Sequence, residues 1–252
     1  MNTRLLSPYE QTQLAKHGIE SSTHIPASKP IEYVTHYAEF CGMDFFVDQS
    51  VLIPRIETEG LVELTLQAIS ERASINNPLT VVEVGVGSGA VIISVLQHVR
   101  QSKWPVRLMG MDISREALII AEKNEVRLVH DNLIEWKQSD LLAAIPNNKI
   151  DILVANLPYI PSARIETLDA SVKEFEPLLA LDGGYDGFQV VKRLLHQAQK
   201  SLTPTGTILL EVDSQHTPRW FEPWKNTFQI IPFTDCFNRH RFIRLDLLPR
   251  DK

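Results

Sequence analysis

Cysteine is scarce in this chain of 252 residues: it occurs only at Cys41 and Cys236, which form no C-x-x-C pair. A disulfide framework or a zinc site built on cysteines is therefore excluded. The eight histidines form no H-x-x-x-H or H-E-x-x-H array, so we assign no metal site. With so few cysteines and no apolar stretch near the N-terminus suited to a signal peptide, we expect a cytoplasmic protein.

Long apolar runs and a basic surplus are also missing. The most apolar window, residues 79–96, contains Glu83, three glycines and two serines, and is therefore unsuited to span a membrane. The 31 acidic side chains outnumber the 25 basic ones, which gives a net charge of −6. Since nucleic-acid binders usually carry a basic patch, we expect neither nucleic acid nor a membrane as partner. The expected oligomeric state is a monomer.

Along the chain, segments whose apolar residues are spaced as in a strand alternate with segments whose apolar residues are spaced as in a helix. Strands are predicted at 80–84, 106–111, 134–136, 150–155, 207–212, 228–231 and 242–247. Helices are predicted between them: Ser114 caps one that runs to about His130, and Pro204-Thr-Gly206 ends another that starts near Phe188. Strands that alternate with helices predict an α/β fold with a doubly wound parallel sheet.

The chain before this region divides into two shorter segments. Residues 1–30 are predicted to form a short helical extension and a linker, with Ser7 and Glu10 as a capping box and a polar stretch at 21–30. Residues 31–78 connect this extension to the α/β domain at 79–252, and Thr58 is a candidate cap for a helix there.

A glycine-rich loop follows the first predicted strand of the sheet. Gly85, Gly87 and Gly89 alternate with Val86 and Ser88 before the next helix begins. Glycines let the backbone approach a ligand closely, and the helix N-terminus offers free N–H groups to an anionic ligand. A plain tight turn would explain one glycine, but three at alternate positions favour a ligand-binding loop.

The ligand of this loop is either a dinucleotide or S-adenosylmethionine. Gly85-x-Gly87-x-x-Ala90 satisfies the dinucleotide fingerprint, and Asp112 stands where a ribose-binding acid belongs, which leaves an NAD-dependent oxidoreductase open. Glu83 favours S-adenosylmethionine, because a carboxylate in a buried strand suits a ligand with a sulfonium and an ammonium. Asp112→Ala is expected to weaken cofactor binding and leave the fold intact.

Asn156-Leu157-Pro158-Tyr159 directly follows the strand at 150–155. Ligands bind beyond the carboxyl ends of strands in open α/β sheets, so this tetrapeptide is expected beside the glycine loop. A simple turn at the exit of the strand is the other interpretation. The tetrapeptide resembles the Asn-Pro-Pro-Tyr motif of methyltransferases that act on planar nitrogens.

Two longer segments narrow this resemblance to one family. Residues 51–59, V-L-I-P-R-I-E-T-E, resemble the "V-L-I-P-R-P-E-T-E" signature of the HemK/PrmC-type protein-glutamine methyltransferases. Residues 176–187 resemble the family's "E-P-x-x-A-L-x-G-G-x-D-G" stretch, and the similarity extends from about Pro30 to Leu247. It implies a class I methyltransferase domain at 79–252, with a Rossmann-like, mostly parallel sheet and an antiparallel C-terminal strand. The implied reaction moves a methyl group from S-adenosylmethionine to the glutamine amide of the Gly-Gly-Gln motif in peptide-chain release factors.

The resemblance also implies roles for individual residues. The cofactor would be held by Glu83, Gly85, Val86, Gly87, Ser88, Gly89, Asp112, Asp140, Leu141 and Asn156. The substrate glutamine would be bound by Asn156, Leu157, Pro158 and Tyr159, with Asn156 and Tyr159 as the catalytic pair. The Asn156 side-chain oxygen and the Leu157 carbonyl would accept the two amide hydrogens, and Tyr159 would pack against the flat amide.

Several positions depart from the family pattern. Ile56 and Leu157 stand where the family has proline, and Glu83 stands for the commoner aspartate. Because only the carbonyl of residue 157 is needed, we expect Leu157→Pro to retain activity if the φ of residue 157 is about −65° and its N–H is unpaired. Arg55, Thr58 and Glu59 form either a pocket wall or a structural cap and ion pair. About thirty residues precede Pro30, where the family has a larger helical domain, so we expect a shortened N-terminal domain and the resemblance implies no docking mode for a release factor.

Three other functions remain open from the residues alone. A nucleic-acid methyltransferase acting on the exocyclic amine of adenine or guanine would share both motifs, although it would need a basic groove. An NAD-dependent oxidoreductase and a non-catalytic cofactor-binding subunit are the other two.

Overall fold

The computed structural model describes residues 5–20, 25–73 and 78–249. Its strands are β1 (Tyr37–Phe40), β2 (Met43–Phe46), β3 (Leu79–Val84), β4 (Val106–Asp112), β5 (Ile134–Gln138), β6 (Ile150–Asn156), β7 (Leu202–Glu211), β8 (Phe228–Thr234) and β9 (His240–Leu247). Its α-helices are α1 (Pro8–Lys16), α2 (Glu32–Thr35), α3 (Glu59–Ser70), α4 (Ala90–Ser102), α5 (Arg115–Val129), α6 (Ser162–Ile165), α7 (Ala170–Lys173) and α8 (Gln189–Ser201). Turns of 3₁₀-helix occupy Ile56–Thr58, Leu178–Ala180 and Pro218–Trp224.

Seven of the strands form one sheet in the order β5-β4-β3-β6-β7-β9-β8, and β1 and β2 form a separate hairpin. The first five strands in this order pair in parallel, whereas β9 is antiparallel to both of its neighbours. The central strands β3 and β6 are almost entirely buried, as expected where helices cover both faces of a parallel sheet. The predicted α/β fold with an antiparallel C-terminal strand is confirmed.

The sheet separates two apolar cores. One lies under α8, where Phe221 and Trp224 pack against the ring of Phe188. The ring of Trp220 packs against Phe188 as well, with 5.4 Å between the two centroids. Trp220 and Trp224 are therefore packing residues. The other core contains α3 and α4 together with Phe40 and Phe45 of the hairpin. Residues of the connecting segment therefore share a core with the sheet.

Most predicted boundaries agree with the structure. The capping box of Ser7 and Glu10 begins α1, and Ser114 caps α5 by accepting the Ala117 N–H at 3.1 Å. The linker prediction falls partly on residues 21–24, which lie outside the described residues. No helix in the described ranges is long and apolar enough to cross a membrane.

Two local predictions are wrong. Thr58 makes no side-chain hydrogen bond as a cap of α3; its hydroxyl is used elsewhere, as described below. Pro204-Thr-Gly206 does not end α8, because the helix ends at Ser201 and β7 already begins at Leu202. The residue before a proline is pushed towards extended backbone, so Thr203 favours a strand rather than a turn.

Candidate functional site

A cavity of about 400 Å³ opens at the carboxyl ends of β3, β4 and β6. Its size is typical of a small-molecule site, and its place is the one where open α/β sheets bind ligands. Eleven of the thirteen residues that the resemblance assigns to the cofactor or the substrate line it: Glu83, Gly85, Val86, Gly87, Ser88, Asp112, Asp140, Leu141, Asn156, Leu157 and Pro158. Gly89 and Tyr159 do not line it. The glycine loop and the Asn-Leu-Pro segment thus face one common space.

The glycine loop is shaped by close contacts on both sides. Gly85 has a φ of +76°, and a Cβ there would lie 3.0 Å from the Leu157 side chain. Gly89 has a φ of +79°, and a Cβ there would lie 2.8 Å from Ile93 and 3.1 Å from Ala121. Both positions therefore require glycine, Gly85 to approach the Asn-Leu-Pro segment and Gly89 to begin α4 against α5. Gly89 shapes the loop from behind the cavity.

Glu83 and Asp112 place two carboxyls at the cavity. Glu83 is 2% exposed, and its Oε2 accepts the Ile92 N–H of α4 at 2.9 Å. Burial raises the pKa of Glu83 well above its usual value, the Ile92 N–H opposes this, and the charge of Asp112 adds to it. Burial also raises the pKa of Asp112, although hydrogen bonds from three backbone N–H groups lower it. Among the described residues, no cation is a cause of either shift.

Asp112 also anchors the glycine loop. One of its oxygens accepts the Gly87 N–H at 3.0 Å, and the other accepts the Ser114 N–H at 2.9 Å. The side chain is 8% exposed. The sequence suggested that this residue could be replaced without affecting the fold, but the structure shows that it joins the loop to the start of α5.

Asn156 ends β6 at the mouth of the cavity. Its Nδ2 donates to Thr58 Oγ1 at 3.3 Å, so Thr58 acts here and not as a helix cap. Leu157 is 5% exposed and packs in the core under α8, as well as against Gly85. Replacement by proline would remove this packing, a loss that the sequence expectation did not include.

Tyr159 points into a polar cluster next to the cavity. Its hydroxyl donates to Glu211 Oε1 at 3.3 Å and accepts from Arg241 Nη1 at 3.5 Å. Burial, followed by the charge of Glu211, raises the pKa of Tyr159. The predicted packing of Tyr159 against a substrate amide stays a prediction, since the ring lies outside the cavity lining.

The two long motifs meet in an ion pair. Arg55 Nη2 lies 2.5 Å from Glu176 Oε1, and the side chain of Glu176 is 1% exposed. Arg55 and Thr58 line the cavity, whereas Glu59 accepts the Cys41 N–H at 2.7 Å and lies outside it. Arg55 and Thr58 therefore belong to the pocket wall, and Arg55 also makes the ion pair, so both interpretations hold for Arg55. Glu59 instead bonds to the turn of the hairpin.

Asp140 and Leu141 also line the cavity. Asp140 is half-exposed and pairs with Arg193 of α8 at 2.6 Å. Leu141 is buried with a φ of +52°. Among the described residues, no group of three or more His, Cys, Asp or Glu side chains is arranged to hold a metal ion.

Glu211 is a buried acid of this region that is not among the site residues predicted from the sequence. It ends β7 in register with Asn156 and is 2% exposed. The signal was present, because Glu211 follows the apolar run Ile208–Leu210 in the same way that Glu83 interrupts the first strand. An acid at the end of a buried strand should have marked this position as well.

The known proteins that this chain is similar to are methyltransferases. Residues 66–174 match the family model described as "RMKL-like, methyltransferase domain". The chain is 37% identical over 210 residues to a release factor glutamine methyltransferase of Koribacter versatilis, covering 81% of this chain and 70% of that protein. It is 34% identical over 219 residues to the protein of the same name from Clostridium acetobutylicum, covering 86% and 73%.

Among solved structures, a methyltransferase from Pyrococcus furiosus has a similar fold. The TM-score is 0.57 at 12% identity, and the match covers 96% of this chain and 99% of that one. At this identity the likeness supports the methyltransferase fold, and the sequence relatives above define the family. The chain belongs to the release factor glutamine methyltransferase family.

Proposed function

We propose that this chain transfers the methyl group of S-adenosylmethionine to the side-chain amide nitrogen of a glutamine. The substrate is the Gly-Gly-Gln motif of a peptide-chain release factor, the protein class that the relatives' names give. The observation that carries the proposal is that Asn156 and the glycine loop face the same cavity. A cofactor held by the loop and an amide held by Asn156 would thus be neighbours.

The residues present fit S-adenosylmethionine. Glu83 and Asp112 are buried carboxyls with raised pKa values, and no cation in the part of the chain that the structure describes offsets either shift. A sulfonium and an ammonium would supply that charge, whereas NAD would not supply it next to Glu83. Glu83, the segment from Gly85 to Gly89, Asp112, Asp140 and Leu141 would hold the cofactor, which supplies an activated methyl group when bound.

The chain's own residues would then place the substrate amide. An amide nitrogen is a weak nucleophile because its lone pair is delocalised into the carbonyl. Asn156 Oδ1 and the Leu157 carbonyl would accept the two amide hydrogens, which turns the nitrogen towards the methyl carbon and stabilises the positive charge that develops on it. Orientation of this kind can contribute on the order of 7–11 kcal/mol. The nitrogen loses a proton after transfer, and water is a sufficient acceptor.

The proposal is tested by incubating the protein with methyl-labelled S-adenosylmethionine and a release factor. We expect label on the glutamine of Gly-Gly-Gln, located by peptide mass spectrometry, and none on a matched factor in which that glutamine is alanine. DNA and RNA are included as competing substrates. Label on nucleic acid with none on protein would replace the proposal by the base-modifying alternative, and absence of any transfer would leave a cofactor-binding subunit.

Asp112→Ala is expected to weaken cofactor binding at least about tenfold, or ~1.4 kcal/mol. The change removes a cavity carboxylate and leaves the Gly87 and Ser114 N–H groups without their acceptor, so the free energy of unfolding should also fall by about 1–3 kcal/mol. Calorimetric titration with S-adenosylmethionine and urea unfolding measure the two effects. Asp131→Ala is the matched control, because Asp131 also accepts a backbone N–H, at 2.9 Å, but is exposed. Unchanged affinity in Asp112→Ala would remove this residue from the cofactor site.

A further inference from the structure

Glu211 is a buried acid next to the proposed amide site. It pairs in register with Asn156, and neighbouring strands are about 4.8 Å apart, so the two side chains start from adjacent backbone positions. Its Oε1 accepts from the Tyr159 hydroxyl, whereas Oε2 is buried and, within the described ranges, no group meets both the distance and the angle of a hydrogen bond to it. Burying a carboxylate in this way is unfavourable. A residue of this kind needs an explanation beyond packing.

Thr58 lies between Glu211 and Asn156. It accepts a hydrogen bond from Asn156 Nδ2, and its hydroxyl also neighbours Glu211 closely enough to lower the pKa of that carboxyl. A hydroxyl can donate as well as accept, so Thr58 alone would hold the Asn156 amide in either of its two orientations. An ionised carboxylate can only accept. With Glu211 ionised, the hydroxyl hydrogen of Thr58 is directed to Glu211, and its lone pair is left for Asn156 Nδ2.

We infer that Thr58 and Glu211 are positioning residues that fix the Asn156 amide with Oδ1 towards the substrate. The inference rests on the proposed function, because it concerns the amide that would receive the methyl group. A reversed Asn156 would present its NH₂ group to the NH₂ group of the glutamine. Neither group could then accept a hydrogen bond, and the substrate amide would lose one of its two acceptors.

The groups around Glu211 make the orientation of the Asn156 amide dependent on pH. Burial raises the pKa of Glu211 to about 6, while Thr58, Arg241 of β9 and Tyr159 lower it and Glu57 raises it. A protonated Glu211 can donate to Thr58, whose hydrogen is then free to turn to Asn156 Oδ1. The ionised form is therefore the competent one, and kcat should fall as the pH falls through about 6.

The first test separates positioning from packing at Thr58. Thr58→Val keeps the shape but removes the acceptor, and we expect kcat to fall on the order of tenfold to a hundredfold with little change in cofactor affinity. Thr58→Ser restores the hydroxyl and should restore most of kcat. Thr65→Val in α3 is the matched control, since Thr65 is fully buried and its hydroxyl donates to the Leu61 carbonyl of its own helix at 2.7 Å. Wild-type kcat in Thr58→Val would overturn the inference.

The second test follows the amide directly and does not require activity. The side-chain NH₂ resonances of Asn156 are identified by their absence from Asn156→Ala. In the wild type we expect them to titrate with a midpoint near pH 6, and in Glu211→Gln to be independent of pH in this range. The acidic limb of kcat should disappear in the same variant. Identical titration in both proteins would refute the inference even if methylation is confirmed, whereas a wild type that methylates no Gly-Gly-Gln substrate would refute only the proposed function.

Discussion

Replacing Asn156 with alanine is expected to lower kcat for glutamine methylation by about 10²–10³-fold. The substitution removes the side-chain oxygen that would accept a hydrogen of the reacting amide, so the interaction lost is one made at the reacting nitrogen. The glycine loop, Glu83 and Asp112 are unchanged, and cofactor affinity should therefore stay close to that of the wild type. Steady-state kinetics with a Gly-Gly-Gln protein, together with calorimetric titration of S-adenosylmethionine, measure the two quantities.

Asn132→Ala is the matched control for this change. Asn132 is exposed in the turn before β5, and the same substitution there should leave both kcat and cofactor affinity unaltered. A loss of cofactor affinity in Asn156→Ala equal to the loss of kcat would show that Asn156 serves the cofactor rather than the amide. Near wild-type turnover would exclude it from catalysis.

Gly183→Ala is expected to lower kcat/KM by about a hundredfold, although the residue does not line the cavity. A Cβ at this position would lie 2.5 Å from the Gly187 carbonyl oxygen and 2.7 Å from that of Pro158. Both are backbone atoms and cannot swing away, so the Asn-Leu-Pro segment must move. The Gly183 N–H also donates to the Ile160 carbonyl at 2.9 Å, which fastens the two loops together. Overpacking should lower the free energy of unfolding by about 1–3 kcal/mol.

Gly42→Ala distinguishes this displacement from ordinary backbone strain. Gly42 has a φ of +70°, but nothing lies within 4 Å of a Cβ there, and it turns the hairpin between β1 and β2. Alanine should destabilise the protein by about 1–2 kcal/mol through its left-handed backbone alone and leave kcat/KM unchanged. Equal losses of activity in the two variants would show that general destabilisation, and not displacement of Pro158, is responsible.

The strands of the sheet could be predicted because each is marked by a pattern of consecutive residues. The β-branched runs at Thr80–Val84 and Ile150–Ala155 agree within a residue with β3 and β6, since buried parallel strands need continuous apolar sequence. For the hairpin, the sequence indicates only one short strand, because Phe45-Phe46-Val47 is an apolar run that lies close to β2. Its partner strand Tyr37–Phe40 alternates irregularly, and it is recognisable mainly from the pairing of Ala38 with Phe45.

The site was predictable to the extent that its residues form contiguous motifs. The glycine loop and Asn156–Tyr159 could be identified from their spacing, but the direction of the Tyr159 ring could not. That direction depends on Glu211 and Arg241, which come from strands whose neighbours are set by the whole sheet. The hydrogen bond of Thr58 could not be predicted either, because its partner Asn156 lies at the end of β6 and is distant in the sequence. Local sequence alone favours a helix cap at Thr58.

The polar cluster around Asn156 consists of Thr58, Asn156, Tyr159, Glu211 and Arg241. It differs from the glycine loop in the sequence separation of the residues that its hydrogen bonds join. Its hydrogen bonds join residues 98, 52 and 82 positions apart, whereas Asp112 reaches Gly87 across only 25. Long-range contacts close large loops and depend on several elements being in place at once. Local opening of β9 or of the turn before α3 would therefore break the cluster while β3, β4 and the glycine loop remain folded. Such a partly opened molecule would still hold its cofactor but would no longer present Asn156 correctly to the glutamine.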